Sequence, residues 1–310
     1  MEFGLIIHWG LYSVPAYDSV NSAKIRKMQN GSEWYLKRLL ENDKTFRPIS
    51  GHKATKVFHN EHYKDLDYFE DFPGLFNKNK TWDPEDWVMY CKAIGATYLI
   101  LTSKHHDGYC LWDTESTDFN SVKTGCGVDI IKELGICCKK HGIEFGIYYS
   151  WCEFNLGITK EYLGIIKQQI TELIEYKPDL FWFDGHWEIK TQIAKKTIED
   201  ITNNLLKDFV KNDRTVGNYS YKSFEKKMPN SSEKEDWEYV DTVGYSWGRN
   251  KDQKEKDYKS PEKLIELYTE AKELGCKRFT LNLGPDSDGS LDPYEEQIIA
   301  EFRELVEEEE

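Results

Sequence analysis

Short apolar segments alternate with longer amphipathic segments along almost the whole chain. The apolar segments are rich in Ile, Tyr, Phe, Val and Thr, and several are continuously apolar, which is typical of strands that are covered on both faces. This repeated order of strand and helix favours a parallel α/β fold. Strands are predicted at residues 3–9, 97–102, 144–150, 179–183, 215–219, 242–247 and 278–283.

The segments between these strands carry helix start and stop signals. Asp83 supplies an N-cap before Pro84 at the first helical position, acidic residues fill the first turn, and Gly95 ends the helix. The same scheme recurs towards the end of the chain. Helices are predicted at residues 83–95, 128–141, 160–176, 189–210, 260–275 and from 292 onward.

We predict that the strands close into a (β/α) barrel of the TIM type rather than an open doubly wound sheet. The chain has 310 residues, which is near the usual size of a single barrel domain. The first strand is not followed by the Gly-rich loop of a nucleotide-binding sheet. Because the sequence has neither repeat nor linker, residues 1–310 are predicted to form one domain. A loop-rich insertion is expected at about residues 31–80, over the carboxyl end of the first strand.

The charge balance excludes several classes of partner. The chain carries 55 acidic and 41 basic residues, a formal net charge of −14, and such a surface repels nucleic acid and anionic membranes. No apolar stretch is long enough to span a bilayer. A neutral or cationic ligand is therefore expected. Aromatic residues make up 14% of the chain, with ten Trp, which fits either a large core or a site where rings stack on sugars.

The cysteines and the first residues bear on the cellular compartment. The seven Cys match neither a zinc-binding spacing nor a disulfide framework, which favours a reducing environment. The apolar run after Met1 is short and has no basic residues before it, unlike a signal peptide. If Met1 is the native start, we expect a cytoplasmic protein. A lysosomal or secreted protein is the alternative.

Polar and aromatic residues cluster where four predicted strands end. In a (β/α) barrel the carboxyl ends of the strands build the active site, so these residues are candidates for function. One such cluster could be an ordinary capped strand end, whereas four together indicate sugar binding or acid–base chemistry. The clusters are His8-Trp9-Gly10, Ser103-Lys104-His105-His106-Asp107-Gly108, Tyr148-Tyr149-Ser150-Trp151 and Trp182-Phe183-Asp184-Gly185.

Asp184 follows an apolar run that should be buried. A carboxylate in such a place must be hydrogen-bonded or functional, because an uncompensated buried charge is costly. One interpretation is a structural aspartate that bonds the following loop. The other is a nucleophile that stays ionised beside the anomeric carbon of a sugar.

The adjacent pair His105-His106 is the second candidate feature. Neighbouring residues on a strand point to opposite sides, and the sequence has neither an H-E-x-x-H motif nor a clear third ligand, so a metal site is disfavoured. Two imidazoles at a strand end suit hydrogen bonding to sugar hydroxyls. The structural alternative is one buried and one exposed histidine.

A glycosidase that retains anomeric configuration needs a second carboxyl group near the nucleophile. It protonates the leaving oxygen and later takes a proton from water. Spacing along the chain does not reveal which carboxyl group lies at that distance, so the choice stays open at this point. The candidates after the fourth strand are Glu225, Glu235, Asp236, Glu238 and Asp241.

Seven segments of the chain resemble the α-L-fucosidases of glycoside hydrolase family 29. They occur in the order typical of that family and extend over nearly the whole chain. The first and third are long and specific. The segments are Phe3-Gly4-Leu5-Ile6-Ile7-His8-Trp9-Gly10-Leu11-Tyr12-Ser13-Val14-Pro15, Ser32-Glu33-Trp34-Tyr35, Thr102-Ser103-Lys104-His105-His106-Asp107-Gly108-Tyr109 with Leu111-Trp112, Gly146-Ile147-Tyr148-Tyr149-Ser150, Trp182-Phe183-Asp184-Gly185, Trp237-Glu238 with Ser246-Trp247-Gly248, and Leu281-Asn282-Leu283-Gly284-Pro285 with Asp288-Gly289.

The resemblance implies hydrolysis of α-L-fucosides with net retention, without cofactor or metal, on fucosylated glycans or small fucosides. It implies that Asp184 is the nucleophile and that Glu225 is the acid/base, with Glu238 as the alternative. The residues that it implies for the fucose pocket are His8, Glu33, Trp34, His105, His106, Tyr148, Trp182 and Arg214.

The sequence also departs from the family pattern. Thr215 stands where a Trp usually follows the pocket arginine, and the chain stops after the last barrel helix, so the C-terminal β-sandwich common in the family is expected to be absent. Two alternatives stay open beside the retaining fucosidase. One is a fucose-binding protein that lacks turnover, and the other is a barrel hydrolase for a related sugar such as α-L-galactose.

Overall fold

The computed structural model describes residues 1–18, 31–41 and 50–309 of the chain. Eight strands form one sheet, and every hydrogen-bonded pair of strands within it is parallel. The strands are β1 (Glu2–Ile7), β2 (Tyr98–Lys104), β3 (Glu144–Ser150), β4 (Leu180–Asp184), β5 (Val210–Lys211), β6 (Lys222–Glu225), β7 (Trp237–Thr242) and β8 (Arg278–Leu283).

The sheet closes on itself. Its strand order is β5-β4-β3-β2-β1-β8-β7-β6. The first strand, β1, therefore lies between β2 and the last strand, β8, as in a closed barrel. Asn212 and Tyr221, which lie just after β5 and just before β6, form a parallel bridge that joins the two ends of the sheet. The predicted (β/α) barrel is therefore confirmed.

Helices surround most of the barrel. They are α1 (Tyr35–Leu40), α2 (His52–His62), α3 (Pro84–Ala93), α4 (Ile130–His141), α5 (Lys160–Ile174), α6 (Gln192–Asp200), α7 (Pro261–Glu273) and α8 (Pro293–Glu309). A five-residue π-helix, Ile201–Leu205, prolongs α6. In the fully described stretch 206–242 the chain has no helix, so β5, β6 and β7 are joined by loops alone. No helix among the described residues combines the length and the apolarity that crossing a bilayer requires.

Two of the predicted strands are wrong. Residues 215–219 form a loop in which Gly217 has a positive φ of 95°, and of residues 242–247 only Thr242 belongs to β7, while residues 243–247 form the loop after it. The sequence did not predict β7 because this completely buried strand contains two acidic residues, Glu238 and Asp241. The side chains of Trp182 and Lys259 satisfy these two carboxylates, which allows an acidic pattern to form an interior strand.

The insertion at residues 31–80 carries α1 and α2, while residues 42–49 within it lie outside the described residues. Its aromatic side chains pack on one another and on the barrel rim, and Tyr68 donates a hydrogen bond of 2.7 Å to Asp107 beyond β2. This packing sets Glu33 and Trp34 beside the carboxyl end of β1.

The inside of the barrel is filled by its own apolar cluster, separate from the larger core between strands and helices. The interior cluster consists of Ile6, Tyr98, Ile100, Tyr148, Leu180, Trp182, Tyr221, Val240 and Trp247. Gly4 provides the room for one of these rings, since a Cβ atom built there would lie 2.2 Å from a Tyr98 ring carbon. The Tyr98 hydroxyl lies 2.7 Å from the hydroxyl of Thr280 on β8, the strand on the other side of β1.

We predict that Gly4→Ala destabilises the fold by about 1–3 kcal/mol, because the rigid Tyr98 ring has no free space to move into. Gly164→Ala on the exposed face of α5 is the matched control, since nothing lies within 4 Å of its Cβ position. There the substitution should stabilise by up to about 1 kcal/mol through helix propensity. Urea unfolding of the three proteins measures both effects. Equal stabilities of Gly4→Ala and wild type would contradict this account of the interior.

Candidate active site

A cavity of about 270 Å³ opens at the carboxyl ends of the barrel strands. It lies directly above the interior aromatic cluster and is lined mainly by polar and aromatic side chains. Its lining residues are His8, Glu33, Trp34, His105, His106, Asp184, Trp187, Arg214, Glu225 and Trp247. Residues from four of the strand ends thus meet residues from the insertion and from the loops after β4, β5 and β7.

Asp184 is the last residue of β4 and forms the floor of the cavity. Its Oδ2 accepts a hydrogen bond of 3.0 Å from the Tyr148 hydroxyl and lies 3.4 Å from Nε2 of His106, while Oδ1 lies 3.2 Å from Nη1 of Arg214. Burial by itself raises the pKa of Asp184. The hydrogen bond from His106 and the Arg214 charge outweigh that effect and hold the pKa well below its usual range. Asp184 is therefore an ionised carboxylate in a buried place.

Arg214 joins the two carboxyl groups of the cavity. The same nitrogen, Nη1, lies 3.2 Å from Oδ1 of Asp184 and 2.7 Å from Oε1 of Glu225. The guanidinium stacks over the ring of Trp182, 4.8 Å from its centroid. Burial disfavours its charge, but the Glu225 and Asp184 carboxylates raise the pKa of Arg214. Since both oxygens contact one nitrogen, they lie no more than about 5.9 Å apart, the sum of the two contacts.

Glu225 is the last residue of β6, at the open side of the cavity. Its side chain is 35% exposed, whereas that of Asp184 is 11% exposed. One of the two carboxyl groups thus sits at the floor and the other near solvent, and both contact Nη1 of Arg214.

His8 is neutral and presents an acceptor to the cavity. The Asn282 amide donates to the Trp247 carbonyl at 2.6 Å, so its oxygen must accept from Nδ1–H of His8, also at 2.6 Å. Nε2 then carries a lone pair. Burial lowers the pKa of His8 to about 3, despite the opposing effect of the Asn282 hydrogen bond.

His105 and His106 differ in charge. Burial, reinforced by the charge of His106, lowers the pKa of His105 well below its usual value, and its Nδ1 has no hydrogen-bond partner among the described residues. Nδ1 of His106 lies 2.6 Å from the Ser150 hydroxyl. Although burial disfavours a charged ring, its interactions with Cys152 and the Asp184 carboxylate raise the pKa of His106 to about 10. His106 is therefore a cation beside Asp184.

Glu33 and Trp34 come from the short turn that precedes α1. The two oxygens of Glu33 accept hydrogen bonds from three backbone amides, those of Gly31, Trp247 and Gly248, at 2.7, 3.2 and 3.1 Å. This anchors the insertion to the loop after β7. The Trp34 ring stands edge-on to His106 with centroids 5.9 Å apart.

Three residues named from the sequence lie below the cavity rather than in its wall. Tyr148 reaches the floor through its hydroxyl and stacks on Trp182 with centroids 5.4 Å apart. Glu238 is completely buried, and it accepts hydrogen bonds from Nε1 of Trp182 and from the hydroxyl of Ser223. Glu238 therefore supports the ring on which Arg214 rests and does not face the cavity.

Two lining residues were missed by sequence reasoning. Trp187 is 42% exposed and contacts His106 edge-on at 5.3 Å, and Trp247 is buried and packs against His8 at 5.0 Å. Trp187 follows Asp184 by three residues, and Trp247 belongs to a segment that carried the family resemblance. The closeness to the end of β4 was therefore the signal for Trp187, and the family resemblance was the signal for Trp247.

The histidine pair lacks the surroundings of a metal centre. Within the described residues, neither His105 nor His106 belongs to a group of three side chains whose ligand atoms could share one ion. The contacts of His106 are with a hydroxyl and a carboxylate, as expected for a hydrogen-bonding role.

An eight-stranded barrel with paired carboxylates in a small polar cavity at the carboxyl ends of its strands is the arrangement typical of one class of proteins, the barrel glycoside hydrolases. Comparison with known proteins narrows this class. Residues 1–308 match the family model described as alpha-L-fucosidase, and the chain belongs to the alpha-L-fucosidase family. The resemblance noted in the sequence is thus confirmed.

Curated relatives agree with this family. The chain is 32% identical to an alpha-L-fucosidase of Dictyostelium discoideum, covering 94% of this chain and 65% of that protein. It is 30% identical to a tissue alpha-L-fucosidase of Rattus norvegicus, covering 96% and 65%. The chain therefore spans slightly less than two thirds of the length of these relatives.

Solved structures agree as well. The Thermotoga maritima alpha-fucosidase in complex with a mechanism-based inhibitor superposes with a TM-score of 0.80 at 29% identity, over 99% of this chain and 72% of that one. An alpha-L-fucosidase from Lactobacillus casei, in complex with its fucose product, is 22% identical with a TM-score of 0.76, and 96% of its chain is covered. This second likeness establishes the shared fold alone.

The buried position of Glu238 predicts a pH-dependent stability. Burial raises its pKa from 4.5 to about 7, against the opposing hydrogen bonds from Ser223 and Trp182. Between these values the folded state holds a proton that the unfolded state has lost, so stability falls as pH rises. We predict that the stability of wild type minus that of Glu238→Gln falls by roughly 1–3 kcal/mol between about pH 4.5 and pH 7.5.

Urea unfolding at several pH values measures this difference. Glu175→Gln, at the exposed residue that directly follows α5, is the control, and its difference from wild type should stay nearly constant. A difference for Glu238→Gln that is equally flat would mean that Glu238 is ionised in the folded protein.

Proposed function

We propose that this protein is a retaining exo-α-L-fucosidase in which Asp184 is the nucleophile and Glu225 is the acid/base. One observation carries the proposal: both carboxyl groups contact the same guanidinium nitrogen of Arg214. Their oxygens then lie within about 5.9 Å of each other. Retaining glycosidases separate their carboxyl groups by roughly 5–5.5 Å, and inverting ones by roughly 6.5–9.5 Å. The short distance between the two contacting oxygens supports retention.

In the first step, Oδ1 or Oδ2 of Asp184 attacks the anomeric carbon of the fucoside. The glycosidic bond breaks, and its oxygen takes a proton from Glu225 as the aglycone leaves. In the second step, Glu225 takes a proton from a water molecule, the water oxygen bonds the anomeric carbon, and the ester bond to Asp184 breaks. Fucose leaves with its anomeric configuration retained.

Arg214 stabilises the charge that moves during this sequence. Before attack, Asp184 carries the negative charge and Glu225 the proton, whereas in the covalent intermediate Asp184 is an uncharged ester and Glu225 is a carboxylate. Because Nη1 contacts both groups, one guanidinium is the counter-ion of whichever carboxylate is charged. A positive charge that need not move favours each step, since no reorganisation accompanies the transfer.

The cavity walls suit a single deoxy-sugar. A volume of about 270 Å³ lies just below the usual range of small-molecule pockets and supports binding of one terminal residue. The lone pair of His8 and the side chain of His105 can bond ring hydroxyls, while cationic His106 can donate. The ring of Trp247 provides the apolar surface that the C6 methyl group of fucose requires.

We predict that the purified chain hydrolyses 4-nitrophenyl α-L-fucoside and that Asp184→Gly lowers kcat by more than about 10⁴-fold, because loss of the nucleophile removes a group on which both steps depend. Added azide should restore part of the rate and yield the fucosyl azide of inverted configuration, since azide fits the space that the carboxylate leaves. Release of nitrophenol and product analysis measure both. Near wild-type turnover by Asp184→Gly would refute the assignment.

The same assay decides between the alternatives. Fucose binding without turnover by the wild-type chain would indicate a binding protein, and faster hydrolysis of the aryl α-L-galactoside would indicate a site that accepts a 6-hydroxyl group.

The acid/base assignment has its own prediction. Glu225→Gln should lower kcat/KM by about 10²–10⁴-fold on a fucosyl disaccharide, whose leaving alcohol needs a proton. On the aryl fucoside, whose leaving group is acidic, the loss should be much smaller. Glu235→Gln, at an exposed carboxyl group that bonds Lys222 and Tyr219, is the control and should match wild type on both substrates. An equal loss on both substrates would argue against proton donation by Glu225.

A further inference from the structure

Three potential metal ligands meet on the outside of the barrel, away from the cavity. Glu85 lies in the first turn of α3, while Cys137 and His141 lie four residues apart on α4 and so share one face of that helix. Their ligand atoms all lie within 4.8 Å of one another. Among residues 1–18, 31–41 and 50–309, no other three side chains of these types come so close.

The distances suit one small ion. Sγ of Cys137 lies 3.5 Å from Oε2 of Glu85. A tetrahedral zinc ion bonds sulfur at about 2.3 Å and carboxylate oxygen at about 2.0–2.2 Å, which sets these two atoms about 3.5 Å apart. Nε2 of His141 lies 2.6 Å from Oε1 of Glu85, too close for two ligands of one ion. Glu85 would therefore bind through Oε2 alone.

Nε2 of His141 is a buried nitrogen that lacks a properly directed hydrogen bond within the described chain, in spite of its short contact with Glu85. The ring is held in place by burial, with 16% of its side chain exposed. An ion bound between Cys137 and Glu85 would give this nitrogen a partner. Cys137 is also buried, and the side chain of Glu85 is 38% exposed, so the group is partly open to solvent.

Lys140 is the group that an ion must displace. Its Nζ lies 2.9 and 3.1 Å from the two oxygens of Glu85 and balances the carboxylate charge when no ion is bound. Its own side chain is 62% exposed, so it can turn into solvent at little cost.

We propose that Cys137, His141 and Glu85 bind one divalent ion of the zinc type, with a water molecule as fourth ligand. A thiolate and an imidazole select zinc over magnesium or calcium, which prefer oxygen ligands alone. Binding releases the thiol proton of Cys137 to solvent. The ion ties the start of α3 to the end of α4, the two helices on either side of β2 in the chain. It serves stability and takes no part in hydrolysis.

Titration with Co²⁺ tests the proposal on the full chain. One Co²⁺ per chain should bind and produce visible bands of tetrahedral Co²⁺ together with a near-ultraviolet thiolate charge-transfer band. Cys137→Ala should abolish the charge-transfer band, while Cys138→Ala, at the next residue of α4, should keep it. The second variant is a matched control because Cys138 is buried in the core and lies outside the group.

Thermal unfolding provides a second measurement. Zn²⁺ should raise the Tm of wild type and of Cys138→Ala in a concentration-dependent way, because it binds the folded state. The rise should disappear in Cys137→Ala and in His141→Gln, whose own unfolding without metal shows that they fold. A charge-transfer band that survives in Cys137→Ala, or equal Zn²⁺ shifts in wild type and both variants, would overturn the proposal.

Discussion

The negative charge of Asp184 at the floor of a buried cavity is the constraint on which the rest of the site depends. A buried carboxylate is costly unless charges and hydrogen bonds compensate it. The compensation comes from three separate parts of the barrel: Tyr148 on β3, His106 after β2 and Arg214 after β5. The charge therefore favours one arrangement of the strand ends, and the same arrangement keeps the carboxylate ionised, as the proposed attack on a sugar requires.

The aromatic residues inside the barrel support this arrangement of side chains from below. Trp182 supports the Arg214 guanidinium from below and stacks on Tyr148, while its Nε1 is held by buried Glu238. Rings are suited to this role because they are rigid and fill the barrel without many rotatable bonds. Glu238 thus acts on the site through Trp182, and its raised pKa follows from its complete burial.

The least regular part of the barrel supplies the two residues that complete the site. Arg214 and Glu225 lie in the helix-free stretch between β5 and β7, which is also where the predicted strands were wrong. The position of these site residues and the wrong strand predictions have one cause. Charged and polar residues that serve the site interrupt the apolar periodicity from which strands are predicted. The long regular strands β1 to β4 and β8 show no such disturbance at their centres, and they were predicted within one or two residues.

The sequence by itself determined the barrel, the family and the strand ends that carry His8, His106 and Asp184, because these follow from local patterns of burial and from motifs. Only the tertiary structure decided which carboxyl group faces Asp184. Glu238 pairs in register with Ser223, two residues before Glu225, so it lies about 7 Å deeper in the barrel. Depth along the barrel axis depends on how neighbouring strands are aligned, and that alignment comes from long-range contacts that no single segment of the chain contains.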